Sequence, residues 1–294
     1  MNTVTIGNFD GIHLGHMSVI HRAISHGGRT TLICFEPVSR QFFSEKPWKR
    51  RLTTAAERLK ILRGLDLDRI WIIPFDDVTA DRSANDFLDS VVKECSPSRI
   101  VVGWDFHFGR SRCGNAEFLR RWCTSREIHT IIVPPLKLED ATVKSEVIRC
   151  HIENGEMASA RKLLGRPYSV TGAVARGKGL GRELGFPTVN LRVPDCKLLP
   201  GTGSYGGSVE LDDGRRFTAA VFIPSGSCGP VEAHVPGTSL GNLYGSGATV
   251  ALEEKIRDAA PSPGPGELRE LIAGDVREVL KRADRKSRME ETGR

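Results

Sequence analysis

The sequence reads as an α/β protein, an N-terminal doubly wound parallel sheet followed by a small C-terminal β-barrel with a terminal helix. Three observations lead there. Its 294 residues suit roughly two domains of about 150 residues each. Up to residue 165, β-branched apolar runs alternate with segments of helical periodicity, the pattern of βαβ units. From RPY at 166–168 onward, short β-type runs sit between Gly, Pro, Asp and Ser clusters, the pattern of a small barrel.

TVTIG opens the chain as a strand, and HMSVIHRAISH follows with Met17, Ile20, Ala23 and Ile24 at helical spacing. TTLICFEP reads as a second strand. TTAAERLKILRGL reads as a helix: Thr53 or Thr54 supplies an N-cap, Glu57 lies in the first turn, and Ala55, Leu59 and Leu62 share a face. DRIWIIPF, RIVVGWDF and HTIIVPP are further strands, separated by the helical SANDFLDSVVKEC and NAEFLRRWCTSR. The continuous apolar runs TLICF, IWII and IVVG predict strands buried on both faces, joined by right-handed crossovers. ENGEMASARKLLG closes this part as a helix. Beyond it, SVTGAVA, GSVEL, FTAAVFI and ATVALEE are strands, PSPGPG at 261–266 is expected to be loop, and GELRELIAGDVREVLKRA ends the chain as an amphipathic helix. The expected domains are 1–165 and 166–284, with a basic tail at 285–294.

A hydrophobic fraction of 39% with 27% charged residues fits a folded globular chain. No apolar run approaches the roughly 18 residues of a membrane span, and MNTVTIGNF lacks the features of a secretory signal, so a cytoplasmic protein without membrane partners is expected. Seven cysteines, widely spaced and without CxxC, indicate neither a disulfide framework nor a zinc site, and most are expected to be reduced packing residues. The formal charge is +6, and the last fourteen residues hold six basic and three acidic side chains. With no aromatic–basic interleaving, this tail reads as a solvated helix rather than a nucleic-acid arm. A basic balance equally suits an enzyme that handles phosphates. The sequence is silent on oligomeric state.

GNFDGIHLGH, residues 7–16, lies between the first strand and the first helix. In an open parallel sheet ligands bind beyond the carboxyl ends of the strands, at the reversal of strand order. Gly7 and Gly11 allow close backbone approach to a phosphate, and the helix N-terminus favours its charge. His13 and His16, three apart at a helical entrance, can point to one anion. Imidazole donors help most when charge builds on phosphate oxygens in a transition state. The chemistry indicated is phosphoryl or nucleotidyl transfer by positioning and electrostatics. The glycine spacing does not match GxGxxG, and no Walker loop occurs.

GKGLGRELGFPTVN, residues 177–190, concentrates Gly177, Gly179 and Gly181 before Thr188 and Asn190. Such glycines let a flap close over a nucleotide with amides facing its phosphates. Two residues apart on an extended segment, Thr188 and Asn190 share a face and offer neutral oxygens to Mg²⁺, which takes its negative ligands from phosphates. Glu232 in PVEAHV is an acid between apolar neighbours, placed to take a hydroxyl proton. Each feature also has a bland reading, a glycine turn or an outward-facing strand acid.

GNFDGIHLGH resembles the signature of the HxGH nucleotidylyltransferases, specifically of the bacterial bifunctional riboflavin kinase/FAD synthetase family. The resemblance continues through FEPVSRQFF, RLTTAAERLKIL, VVGWDFHFGRSRCG, LGRPYSVTGAV, GLGRELGFPTVN, VEAH and LYG. It implies ATP-dependent phosphorylation of riboflavin to FMN in the second half, and adenylylation of FMN to FAD with release of pyrophosphate in the first. It further implies that His13 and His16 bind ATP phosphates and stabilise the transition state, that Asn8 and Asp10 shape the same phosphate-binding loop, and that Asp105 lies near the nucleotide and flavin phosphate. Ser145 and Arg149 match the family's second phosphate motif. Thr188 and Asn190 would hold Mg-ATP, and Glu232 would be the catalytic base.

The chain departs from the family at several points. Val38 and Ser39 stand where a His-Pro pair is usual, and Lys144 and Glu146 replace a serine and a threonine in KSEVIR. FIPSGSCGP, residues 222–230, replaces a segment around the expected flavin pocket. A variant with one activity lost, a nucleotidyltransferase for another acceptor, and a flavin-binding regulator therefore stay open on the sequence alone.

Overall fold

A computed structural model describes residues 1–139, 141–177, 179–224, 230–261 and 263–292. Lys178, Cys228 with the rest of 225–229 in FIPSGSCGP, and tail residues 293–294 lie outside them. The chain divides into two compact units, Met1–Ser145 and Glu146–Arg294.

The first unit is built on a five-stranded sheet: β1 (Asn2–Ile6), β2 (Arg29–Glu36), β3 (Arg69–Pro74), β4 (Arg99–Gly103) and β5 (His129–Val133). All its pairings are parallel, and the order is β3-β2-β1-β4-β5. Strand order therefore reverses between β1 and β4. Helices α1 (Leu14–Ile24) and α2 (Ala55–Arg63) cover one face, where Phe9, Ile12, Ile20, Leu32, Cys34 and Leu62 pack together. Helices α3 (Ala84–Cys95) and α4 (Ala116–Thr124) cover the other, where Val4, Ile6, Ile33, Leu88, Ile100, Val102, Leu119 and Trp122 pack together. Burial on both faces explains the unbroken apolar runs of β2 and β4. IWII differs: β3 is an edge strand, and Ile72 is exposed.

Helix α2 departs from the periodicity reading in an instructive way. Thr54, not Thr53, is the N-cap, and it forms a capping box with Glu57. The buried face carries Glu57, Arg58 and Leu62, whereas Ala55 is exposed. Arg58 goes inward because it has polar partners there: its guanidinium donates to the Asn8 and Phe35 carbonyls and to Glu36. Arg51, also buried, meets the same Glu36 carboxylate. One carboxylate thus serves two buried guanidinium groups, which satisfies the pairing rule for buried charge.

The second unit begins with α5 (Ser145–Glu153), whose first residue closes the first unit, and α6 (Met157–Leu164). A closed barrel follows: β6 (Tyr168–Ala175), β7 (Thr188–Arg192), β8 (Gly203–Leu211), β9 (Arg216–Ile223), β10 (Val231–His234) and β11 (Gly247–Asp258), ordered β6-β7-β10-β9-β8-β11, with every pairing antiparallel. Closure leaves no unpaired edge. Helix α7 runs from Pro265 to Thr292. It starts inside PSPGPG, because proline is tolerated at a first helical turn where its missing N–H has no partner to lose. The basic stretch from 285 continues the same helix to Thr292.

Among the described residues Cys34, Cys95, Cys113, Cys123, Cys150 and Cys196 are free thiols. Burial pushes the Cys34, Cys95 and Cys123 thiols above their ordinary range, so these three are inert packing groups. No described helix is long and apolar enough to cross a membrane.

Candidate active sites

The segment 7–16 leaves the carboxyl end of β1 at the reversal of strand order. Its backbone is contorted. Phe9, Gly11 and Ile12 have φ of 48°, 87° and 40°. Non-glycine residues resist that region, a β-branched one most of all. Burial compensates, since Phe9 and Ile12 are core residues. So does Asp10, whose buried carboxylate accepts from the Leu52 and Thr53 amides and the Thr53 hydroxyl. Asn8 is held from the other side: its amide donates to Ser39 Oγ and its Oδ1 accepts the Ser39 N–H. A proline at position 39 could make neither bond, so this departure is locally well accommodated. Val38 beside it is buried.

The amides of Gly7 and Gly11 are spent internally, on the Ile33 carbonyl and Thr53 Oγ1 at 3.1 and 3.0 Å. A Cβ at Gly11 would meet Leu52 at 2.7 Å. Gly7, Asn8, Asp10 and Gly11 are thus held in the loop by internal contacts, with the Gly7 and Gly11 amides turned to protein acceptors.

His13 is the N-cap of α1, and its Nδ1 accepts the His16 N–H at 3.2 Å. The neutral imidazole then carries its proton on Nε2 and donates from there. The two imidazoles stack, with centroids 3.7 Å apart and planes 16° from parallel. Phe9 meets His16 edge-on. Gly15 makes room for this pair: a Cβ there would lie 3.2 Å from the His13 ring and from the Val143 carbonyl. Ser145 at the start of α5 donates to the Asp10 carbonyl at 3.3 Å. Asp105 follows β4, next to β1, and is exposed. Arg149 belongs to the second compact unit, where its buried guanidinium pairs with Glu146 at 3.1 Å. The carboxylate that replaces the threonine is thus turned onto an arginine.

In the barrel, strand register assembles the second constellation. Asn190 lies opposite Glu232 and Thr188 opposite His234. Direct partners in an antiparallel pair share a face, so all four side chains lie together, while Leu191, Val231 and Ala233 are buried as core. The Asn190 amide curls toward Thr188, donating to its Oγ1 at 3.3 Å and its carbonyl at 3.2 Å. Flap glycines close over the pair. A Cβ on Gly177 would strike the Asn190 carboxamide at 2.6 Å, and one on Gly181 would strike the Phe186 carbonyl at 2.5 Å and approach Thr188 at 3.4 Å. Gly179 turns in open space with φ 81°, so it serves the flap tip. The Thr188 hydroxyl and the Asn190 carboxamide lie side by side on the strand face that also carries Glu232, neutral oxygen-bearing groups of the kind that suit Mg²⁺ carried in with nucleotide phosphates.

Sequence reading missed His234. Its Nδ1–H donates to the Pro187 carbonyl at 2.8 Å, and Phe186 meets its ring edge-on. The signal was the alternation in VEAH, which puts His234 on the face of Glu232. The group in which half-buried Glu36 pairs with buried Arg51 and Arg58 was also missed. Glu36 lies 15 and 22 residues from the two arginines, and no local pattern links it to them.

The family model described as FAD synthetase matches residues 1–147, and the one described as riboflavin kinase matches residues 164–283. Among curated relatives, bifunctional riboflavin kinase/FMN adenylyltransferases of Buchnera aphidicola from Schizaphis graminum and of Pseudomonas fluorescens are each 30% identical. The first match covers 96% of this chain and 93% of the relative, the second 92% and 90%. The Escherichia coli K12 protein of the same description is 29% identical over 92% of this chain and 90% of its own. A solved Streptococcus pneumoniae structure, described as a macrolide-efflux protein, superposes with a TM-score of 0.84 at 25% identity, covering 95% of this chain and 93% of that one.

Proposed function

The chain belongs to the bifunctional riboflavin kinase/FMN adenylyltransferase family, and from that premise we propose that it carries out two successive flavin reactions at two separate sites. It phosphorylates riboflavin to FMN with ATP, then adenylylates FMN to FAD and releases pyrophosphate. We assign the second reaction to residues 1–165, the first to 166–284, and no separate role to 285–294. The observation that carries this reading is that the two family models part the chain between residues 147 and 164, with the histidine loop inside the first share and Thr188, Asn190 and Glu232 inside the second.

In the kinase reaction the riboflavin hydroxyl attacks the γ-phosphorus of ATP. Glu232 is in reach of the face where Thr188 and Asn190 sit and takes the hydroxyl proton as the new P–O bond forms and ADP departs. Thr188 and Asn190 would hold Mg²⁺, which when bound offsets the phosphate charge. Gly177 and Gly181 keep the flap low over this pair, and Gly179 lets its tip turn. In the adenylyl transfer a phosphate oxygen of FMN attacks the α-phosphorus, and the bond to the pyrophosphate oxygen breaks. His13, donating from Nε2, and His16 stabilise charge on the phosphate oxygens. Gly7, Asn8, Asp10 and Gly11 hold the loop that aims them. Ser145, Arg149 and Asp105 are assigned to nucleotide and flavin phosphate by the family resemblance. ATP and free flavins as substrates support a cytoplasmic location.

The test is to incubate the protein with riboflavin, ATP and Mg²⁺ and separate the flavins. Wild type should form FMN and then FAD. His16→Ala should cut FAD formation by about 10²-fold and spare FMN formation. Glu232→Gln should cut FMN formation by about 10²-fold and leave FAD formation from added FMN. Equal loss of both products in either variant would overturn the two-site assignment.

A further inference from the structure

Lys144 lies where no reaction step has used it. The backbone around it is tied to the histidine loop: Val143 O packs on Gly15, and Ser145 Oγ donates to the Asp10 carbonyl. Its side chain reaches the other way. Lys144 Nζ stands 5.0 Å from the centre of the Trp104 ring, and Trp104 is the first residue after β4. The lysine therefore reaches from a segment packed against the loop after β1 to the residue that follows β4, at the reversal of strand order where ligands of open sheets bind.

Three features make this cation available. Among the described residues no carboxylate lies within ion-pair distance of it. Trp104 is 43% exposed, so the contact faces solvent, where a cation–π attraction is weak and yields to a phosphate, which offers a full opposite charge and charge-assisted hydrogen bonds. Asp105, assigned to the nucleotide and flavin phosphate, is the next residue.

Resting on the adenylyl-transfer reading above, we propose that Lys144 is a phosphate-binding residue of that site, held over the Trp104 indole until a nucleotide or flavin phosphate draws the ammonium away. The lysine then supplies mobile positive charge beside the fixed imidazole pair.

Two measurements test it. The first is the rate of FAD formation from FMN and ATP, each varied in turn, for wild type, Lys144→Met and Lys144→Arg. Lys144→Met should lower kcat/KM about tenfold, the loss of roughly one charge-assisted bond, for the substrate whose phosphate it meets. Lys144→Arg should stay near wild type, and FMN formation from riboflavin should not change in either variant. The second reading needs no turnover. All four tryptophans lie within residues 1–145, so the kinase half is silent in tryptophan emission. ATP without flavin should change the emission of wild type but not of Trp104→Phe. Wild-type kcat/KM for both substrates in Lys144→Met would overturn the proposal and leave adenylyl transfer standing. A wild-type protein that forms no FAD and shows no response to ATP would overturn both.

Discussion

Burial pushes the Tyr205 phenol up to about 12, with Asp258 adding to the effect. Tyr205 is fully buried in β8, and its hydroxyl donates to the Gly201 carbonyl. Below pH 10 the phenol is neutral in both the folded and the unfolded chain, and the barrel keeps its full stability. As pH rises from 10 toward 12, only the unfolded chain releases the proton, so stability falls, by about 2 to 3 kcal/mol in all. Denaturant unfolding measured across this range should show that loss in wild type and a flatter profile in Tyr205→Phe. Glu146 illustrates a limit of sequence reading. Glu146 beside polyphosphate would be repulsive, yet its carboxylate is turned onto Arg149. Nothing in KSEVIR distinguishes those two orientations.

Among the elements, the flap between β6 and β7 has its function written in its glycines. Gly177 is needed because the Asn190 carboxamide occupies the space a Cβ would take. Gly177→Ala should displace the flap from Asn190 at a cost of about 1–3 kcal/mol. FMN formation should then fall by about tenfold or more, while FAD formation from added FMN continues; separating the flavins checks both. The strand pair beneath the flap was harder to read. Alternation places Thr188 with Asn190 and Glu232 with His234, but only the register of β7 against β10 brings the two sets together, because a slip of one residue would send one set into the core. Helix α2 shows the reverse case. Periodicity favoured Ala55, and tertiary partners for Arg58 turned a charged face inward instead.

For the whole molecule, the formal charge of +6 suits an enzyme both of whose reactions begin with a polyanion. Long-range attraction of ATP is screened by salt, with a Debye length of about 10 Å at 0.1 M falling to about 3 Å at 1 M. Raising ionic strength over that range should lower kcat/KM for ATP in both reactions while kcat changes less; initial rates at fixed pH would show it. Flat salt profiles would mean that net charge contributes nothing to capture.

Hydrophobic period, turn residues and clustered glycines are local properties, so the α/β architecture, the change of pattern near 166 and the two candidate motifs can be read from the chain alone. That Asp10, Gly7 and Gly11 brace the histidine loop, that His234 holds the Pro187 carbonyl at the base of the flap, and that Lys144 stands over Trp104 emerges only from the folded chain. Each of these depends on contacts between residues tens of positions apart. Such contacts are set by which strands pair and which side chains find polar partners in the interior, and no short stretch of chain encodes either.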